Sequence, residues 1–315
     1  MANTLTGSTY AGEFAGDYVA AALLSAPTLE KGLITVLPNI HYKRVMKKIS
    51  TTGSVLVNAT CDFDHNMDVD VAERVLTLKE LQSNVQLCKK DYHQDWIATQ
   101  AGYSAFESLP GNFKDFMIAH VAGMTAAKIE TNIWEGVGTG GSAVSGEFDG
   151  LVTLALDDTS VVDVASHAAV TAANVIDKLG SIVDAIPNTV YGSESLKIYV
   201  SRNIAKAYVR SLGGFIAAGV GANGTDNKGT QWFGNGSLSF DGIPVVVANG
   251  MADDTAMAAE SSNLFFGCGL LSDINQEVKF IDMSEIDGSQ NCRIVMRMSA
   301  GVQYAIGSDV VLYHA

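Results

Sequence analysis

The sequence predicts an α+β chain, and three stretches carry that prediction. Apolar side chains recur at helical spacing from Asn112 to Glu135, which predicts one long helix. Leu196-Lys197-Ile198-Tyr199-Val200 reads as a buried strand, and Ile204, Tyr208 and Leu212 behind it predict a helix, so this stretch is an α/β unit. Ile294, Met296, Met298, Ala300, Val302, Tyr304 and Ile306 alternate with mostly polar or small residues, the pattern of a long strand with one buried face.

Bulk properties narrow the function classes. With 315 residues, 47% of them hydrophobic, the chain can bury a large core. Its 17% charged residues fall below the roughly 25% usual for soluble domains, which predicts a surface partly covered by neighbouring subunits. A net charge of −14 argues against a sequence-independent nucleic-acid binder, because such binding rests on Lys and Arg neutralising phosphates. No apolar run reaches the ~20 residues that span a bilayer. Met1-Ala2-Asn3-Thr4 shows no basic-then-apolar leader, so synthesis and assembly are expected in the cytoplasm. Cys61, Cys88, Cys268 and Cys292 are too widely spaced for a zinc or redox motif and are expected to be buried free thiols.

Along the chain, Leu33 to Pro38 and the basic cluster Lys43, Arg44, Lys47 and Lys48 read as an arm lying across something else. Val75-Leu76-Thr77-Leu78 and Val85-Gln86-Leu87-Cys88, separated by Lys79-Glu80-Leu81-Gln82-Ser83-Asn84, read as two strands of a long hairpin whose tip runs from Glu80 to Asn84. A hairpin with so few large apolar residues needs a partner. The long helix is capped by Asn112, has Asp115 near its positive end and stops at Gly136. It would be about 35 Å long. Phe113, Phe116, Met117, His120 and Met124 line one side and Ile118, Ala122, Thr125, Ile129 and Ile133 another, so it should lie between layers. Leu151 to Leu154 reads as a strand, His167 to Ile186 as a helix, and Ser201 as the cap of the helix behind it. Leu238-Ser239-Phe240, the turn pair Asp241-Gly242 and Ile243-Pro244-Val245-Val246-Val247 form a hairpin signal.

This order of elements resembles the Hong Kong 97-type capsid fold of tailed-phage major capsid proteins and encapsulin shells. The phrases that carry the likeness are Leu196 to Ser201 leading into a helix, Asp241-Gly242-Ile243-Pro244-Val245, and the closing Arg293-Ile294-Val295-Met296-Arg297 strand. The resemblance implies an N-terminal arm over residues 1–50 and an extended hairpin loop over 51–105. It further implies a peripheral domain over 106–160 with a spine helix at 112–135, an axial domain over 161–280, and a C-terminal strand over 281–315 that returns to the peripheral domain. The function it implies is a structural shell protein that self-assembles as pentamers and hexamers around double-stranded DNA in a virion. The resemblance also implies portal and decoration proteins as partners, and scaffolding, where used, as a separate protein, since the arm pattern begins close to Met1. Other readings are an encapsulin-like compartment and, from another class, a soluble α/β enzyme. The residues expected at subunit interfaces are Lys43, Arg44, Lys47, Lys48, Asp62, Asp64, Asp68, Asp70, Glu80, Leu81 and Gln82.

Nothing in the sequence calls for catalysis or a cofactor. Asp62, Asp64, Asn66, Asp68, Asp70 and Glu73 approach a calcium-loop spacing, but Met67 stands where the sharp turn needs Gly. The run is read as a solvated or salt-bridging acidic face. Gly136, Gly138 and Gly141, and again Gly219, Gly221 and Gly224, match a dinucleotide fingerprint without joining a strand to a helix, so they read as turn glycines. His65, His93, His120 and His167 share no metal or triad motif.

Overall fold

The computed structural model describes residues 27–59, 61, 65–88, 111–164, 168–212, 238–269 and 278–315. Two sheets and one projecting ribbon organise them. The first sheet is built on β12 (Asn291–Tyr304), which pairs antiparallel with β4 (Lys79–Cys88), β10 (Leu264–Cys268) and β11 (Val278–Asp282), while β1 (Thr35–Leu37) adds in parallel to β10. The alternation read from Ile294 to Tyr304 is the real pattern of β12: these side chains are buried and those between them mostly are not.

The second sheet runs in the order β5 (Val162–Asp163), β13 (Val311–Tyr313), β9 (Ala256–Glu260), β6 (Leu196–Val200), β8 (Ile243–Val247) and β7 (Leu238–Phe240). Strand β6 is apolar almost throughout because both its faces are covered. Tyr199 packs into one core with the long helix, and Ile198 and Val200 pack into the other. That second core holds α4 (Val175–Asp184) and α5 (Arg202–Leu212) against the sheet. The β7–β8 hairpin turns through Asp241 and Gly242 at φ of 48° and 82°, the double positive φ that Asp-Gly supplies. Pro244 sits where β8 still pairs only with β7; pairing with β6 begins at Val245, so no hydrogen bond to β6 is lost.

The long helix is present as α2 (Gly111–Glu135). In its C-terminal half Ile129, Glu130, Asn132, Ile133 and Trp134 are buried, as is Val121 nearer its middle, whereas Met124 is exposed. It stops where Gly136 passes the Phe148 carbonyl so closely that a Cβ would stand 2.2 Å from that oxygen. A four-residue helix, α1 (Pro27–Glu30), docks on the buried half.

Several expectations are corrected. Leu151 to Leu154 is not a strand but the start of α3 (Leu151–Asp157), because Leu151, Val152 and Ala155 share one buried helical side. The helix expected from His167 begins at Val175; residues 168–171 are irregular and 172–174 a turn, where the Asn174 side chain accepts the Thr171 N–H at 2.7 Å. Ser201 caps α5 through its backbone carbonyl, which accepts the Ala205 N–H at 3.1 Å, while its hydroxyl is buried without a hydrogen bond. Cys268 and Cys292 are buried, but Cys88 is half-buried and Cys61 exposed; none of the four is in a disulfide.

Candidate assembly surface and its anchor

The projecting ribbon is β2 (Lys43–Gly53) paired antiparallel with β3 (Met67–Thr77), in register from Lys43 opposite Thr77 to Gly53 opposite Met67. The hairpin is therefore displaced from its expected place. Lys43, Arg44, Lys47 and Lys48 stand on its first strand rather than on a preceding arm, and Glu80, Leu81 and Gln82 are not its tip. They belong to β4, which lies along β12 over ten positions from Lys79 opposite Ala300 to Cys88 opposite Asn291. Leu81 packs against the main core, and Glu80 and Gln82 point to solvent. The chain passes from ribbon to sheet at Leu78, whose N–H is taken by the Tyr42 carbonyl at 3.0 Å, so no turn is needed there.

Strand alternation gives the ribbon two unlike faces. One carries the cross-strand pairs Val45–Val75, Ile49–Val71 and Thr51–Val69, with the ion pair Lys47–Glu73 at 3.3 Å between the first two. Its β-branched side chains lie open: Ile49 is 69% exposed, and Leu56 in the loop beyond is 86% exposed. The other face turns toward the body at its base. Leu76 is buried there against Ile40 and Leu78, and Lys48 reaches the Ser308 hydroxyl at 3.4 Å. Farther out on this face Thr52 donates to Asp70 at 3.2 Å.

The expected interface residues are thus gathered on one ribbon but not in one role. Lys47 is paired within its own chain; Lys43 lies 5.2 Å from the centre of the Tyr42 ring; Arg44 is exposed opposite Leu76. Asp68 meets His65 at 2.6 Å, and it shares a face with Asp70 on a strand rather than in a loop between helices. Asp62 and Asp64, like His93, His167 and the glycines from Gly213 to Gly236, lie outside the described residues.

Sequence reading missed the group that fastens the ribbon. Arg74 of β3 pairs with Asp158 at the end of α3 and with the Ser160 hydroxyl at 3.1 Å, and its guanidinium lies 4.6 Å from the centre of the Tyr304 ring. The Tyr304 hydroxyl is 2.8 Å from the same Asp158 oxygen and 3.2 Å from the Leu154 carbonyl. Burial alone would raise the pKa of Asp158, but the Ser160 N–H, the Arg74 guanidinium and the Ser160 and Tyr304 hydroxyls outweigh it and hold the carboxyl well below its usual range. Burial and the nearby carboxylate push the Tyr304 hydroxyl upward.

The sign of the resulting pH dependence is fixed. A depressed folded-state pKa gives stability that is complete above the unfolded value of about 3.9 and is lost as pH falls below it. Melting of unassembled subunits between pH 7 and pH 3 should show an acid limb of about 1 kcal/mol that Asp158→Asn lacks. Identical acid limbs in the two proteins would remove Asp158 from the account.

A second buried node ties the first described residues to the long helix. Glu130 accepts the Thr28 N–H at 3.2 Å and the Thr28 hydroxyl; that hydroxyl in turn accepts the Trp134 indole N–H at 3.1 Å. Burial raises the Glu130 pKa against the lowering effect of these bonds. Gly250 closes over the node, so near that a Cβ would stand 2.1 Å from the Glu130 carbonyl oxygen.

No protein-family model and no curated protein matches the chain. Solved structures do. A chain from Mycobacterium phage Cain aligns with a TM-score of 0.58 at 13% identity, over 98% of this chain and 95% of that one. The capsid of an empty GTA particle, computed with C5 symmetry, aligns with a TM-score of 0.56 at 13% identity, over 100% and 95%. The chain has a phage-capsid fold. A chain from Gordonia phage Cozz aligns with a TM-score of 0.57 at 12% identity, over 92% and 85%. At such identity the capsid fold is a likeness of backbone path, so the Arg74 and Glu130 nodes rest on this chain's own side chains.

Proposed function

We propose that the chain is the major capsid protein of a tailed phage, a structural subunit that assembles as pentamers and hexamers into the shell of the virion. The observation that carries this reading is the ribbon face of Val45, Ile49, Val69, Val71 and Val75, left open by the described residues on a backbone shared end to end with a capsid subunit. Open β-branched residues on a two-stranded ribbon call for a covering surface, and copies of the same chain supply it. In Hong Kong 97-type terms, the ribbon is the extended loop, α2 the spine helix, and the second sheet with α4 and α5 the axial domain. The structures matched in fold come from phages and a GTA particle, which favours a genome shell over an encapsulin-like compartment. Interface roles for Arg44, Lys43, Asp68 and Asp70 belong to the same proposal, as do separate portal, scaffolding and decoration partners.

The test is direct. The expressed chain should elute as capsomers or larger species on a sizing column and give shells or tubes in negative-stain micrographs. A compact monomer at high concentration would overturn the reading.

A further inference from the structure

We propose that Arg74 is a positioning residue: by joining β3 to Asp158 and Tyr304 it sets the angle at which the ribbon leaves the body, and hence where the open face meets the next copy. This rests on the shell reading for its consequence, not for its geometry.

The ribbon is held only at its base. Among the described residues its contacts with the body come from Leu76, Met46, Arg74 and Lys48 and from the Val75 carbonyl, which accepts the Gln303 side-chain amide at 3.5 Å, whereas the described strand residues outward of the Lys48–Ala72 pair are exposed apart from the half-buried Met67. From Arg74 to Met67 the strand extends about 23 Å at the usual rise per residue. A tilt of about 10° at the base would therefore move the far end by roughly 4 Å, about the spacing of one atomic contact layer. Leu76 is packed without direction, since an apolar contact resists separation more than rotation. Directional restraint comes from the polar contacts, and among these the Lys48–Ser308 and Gln303–Val75 bonds are long and exposed, whereas the Arg74–Asp158 clamp is part-buried and carries most of the restraint.

That clamp has the form needed to fix an angle. It draws on three separate elements: β3 through Arg74, the end of α3 through Asp158, and β12 through Tyr304. The guanidinium carries two constraints at once: one nitrogen, Nη2, donates to both Asp158 and Ser160, and the planar group lies over the Tyr304 ring. The next turn leaves no slack, because a Cβ on Gly307 would lie 2.2 Å from the Ser160 hydroxyl and 2.8 Å from the Arg74 guanidinium. A lysine would keep the charge and could reach one of these acceptors but would lose the planar group over the ring.

The experiment measures the angle and its consequence separately. Exposed Cys61, in the segment joining β2 to β3, takes one spin label, and Lys206→Cys, at an exposed position of α5, takes the other, in a Cys88→Ser background. In unassembled subunits, Arg74→Ala should shift or broaden the label-to-label distance distribution by several ångströms, and Arg74→Lys should do so in part. Melting midpoints report whether each variant is folded, and Tyr304→Phe, which keeps the ring and loses the hydroxyl bond, serves if Arg74→Ala does not fold. Assembled variants should give particles of mixed diameter in micrographs where the unsubstituted chain gives one. An unchanged distance distribution overturns the proposal, and so does a changed one with particles of unaltered diameter. Failure of the unsubstituted chain to form any particle would instead count against the shell reading and leave the distance result to judge the clamp.

Discussion

Ile49→Lys combined with Val71→Glu should abolish particle formation while leaving the subunit folded. The two residues face each other across the ribbon on its open side. Neither contributes to a core of the isolated chain, so their replacement removes little folding energy. An opposite-charge pair at directly facing positions contributes roughly 0.2–1 kcal/mol to strand pairing, which keeps the ribbon zipped. The chain already uses this device two residues away, where Lys47 meets Glu73 on the same face. On assembly the balance reverses. Covering an isoleucine and a valine stabilises a contact by about 1.5–3 kcal/mol each when burial is complete, and covering the new charges instead carries a desolvation cost. The loss recurs at every subunit of a shell, so a few kcal/mol per copy is enough to leave only free subunits. The measurement pairs melting of the free chain with particle yield in micrographs. Normal yield with both substitutions present would show that the open face is not an assembly surface.

How much of this was legible in the sequence depends on the range of the interaction. Strand β12 could be read because its signal is local: the residue two positions along returns to the same face, and from Ile294 to Tyr304 that rule is scarcely broken. Strand β4 follows the same rule, yet Glu80, Gln82, Ser83 and Asn84 look like a turn by composition. Its half-buried positions Lys79, Leu81, Ser83, Val85 and Leu87 carry the period of two that identifies a strand. Composition won over periodicity there, and the hairpin was displaced by one strand as a result. The ribbon's true first strand was masked by its cations, which read as an arm because Lys47 and Lys48 interrupt the apolar pattern. The Arg74 clamp had no sequence signal at all, since Arg74 and Asp158 are 84 residues apart and Asp158 and Tyr304 are 146 apart. Only the folded backbone brings them together.

Trp134→Ala should have the largest effect on the subunit itself. Trp134 is fully buried at the end of α2, with its ring centroid 5.2 Å from that of Tyr199 on β6. It joins the long helix to the second sheet, and Tyr199 in turn donates its hydroxyl proton to the Leu33 carbonyl at 2.6 Å. Removing a buried Trp side chain costs about 3–5 kcal/mol through lost transfer energy and the cavity left behind. The cavity cannot close easily, because the backbone around it is already at contact distance: a Cβ on Gly150 would stand 2.4 Å from the Trp134 carbonyl oxygen. The lost indole N–H adds a smaller cost, leaving the Thr28 hydroxyl to serve Glu130 alone. Against a typical total of 5–15 kcal/mol, this is enough to leave a marginal subunit or none. Trp134→Phe separates the two contributions, keeping a ring against Tyr199 while losing the N–H, and should cost about 1–3 kcal/mol. Melting of the free chain should therefore rank Trp134→Ala well below Trp134→Phe, with both below the unsubstituted protein. Equal losses for Ala and Phe would mean that the hydrogen bond to Thr28, rather than the ring's packing between helix and sheet, holds this junction.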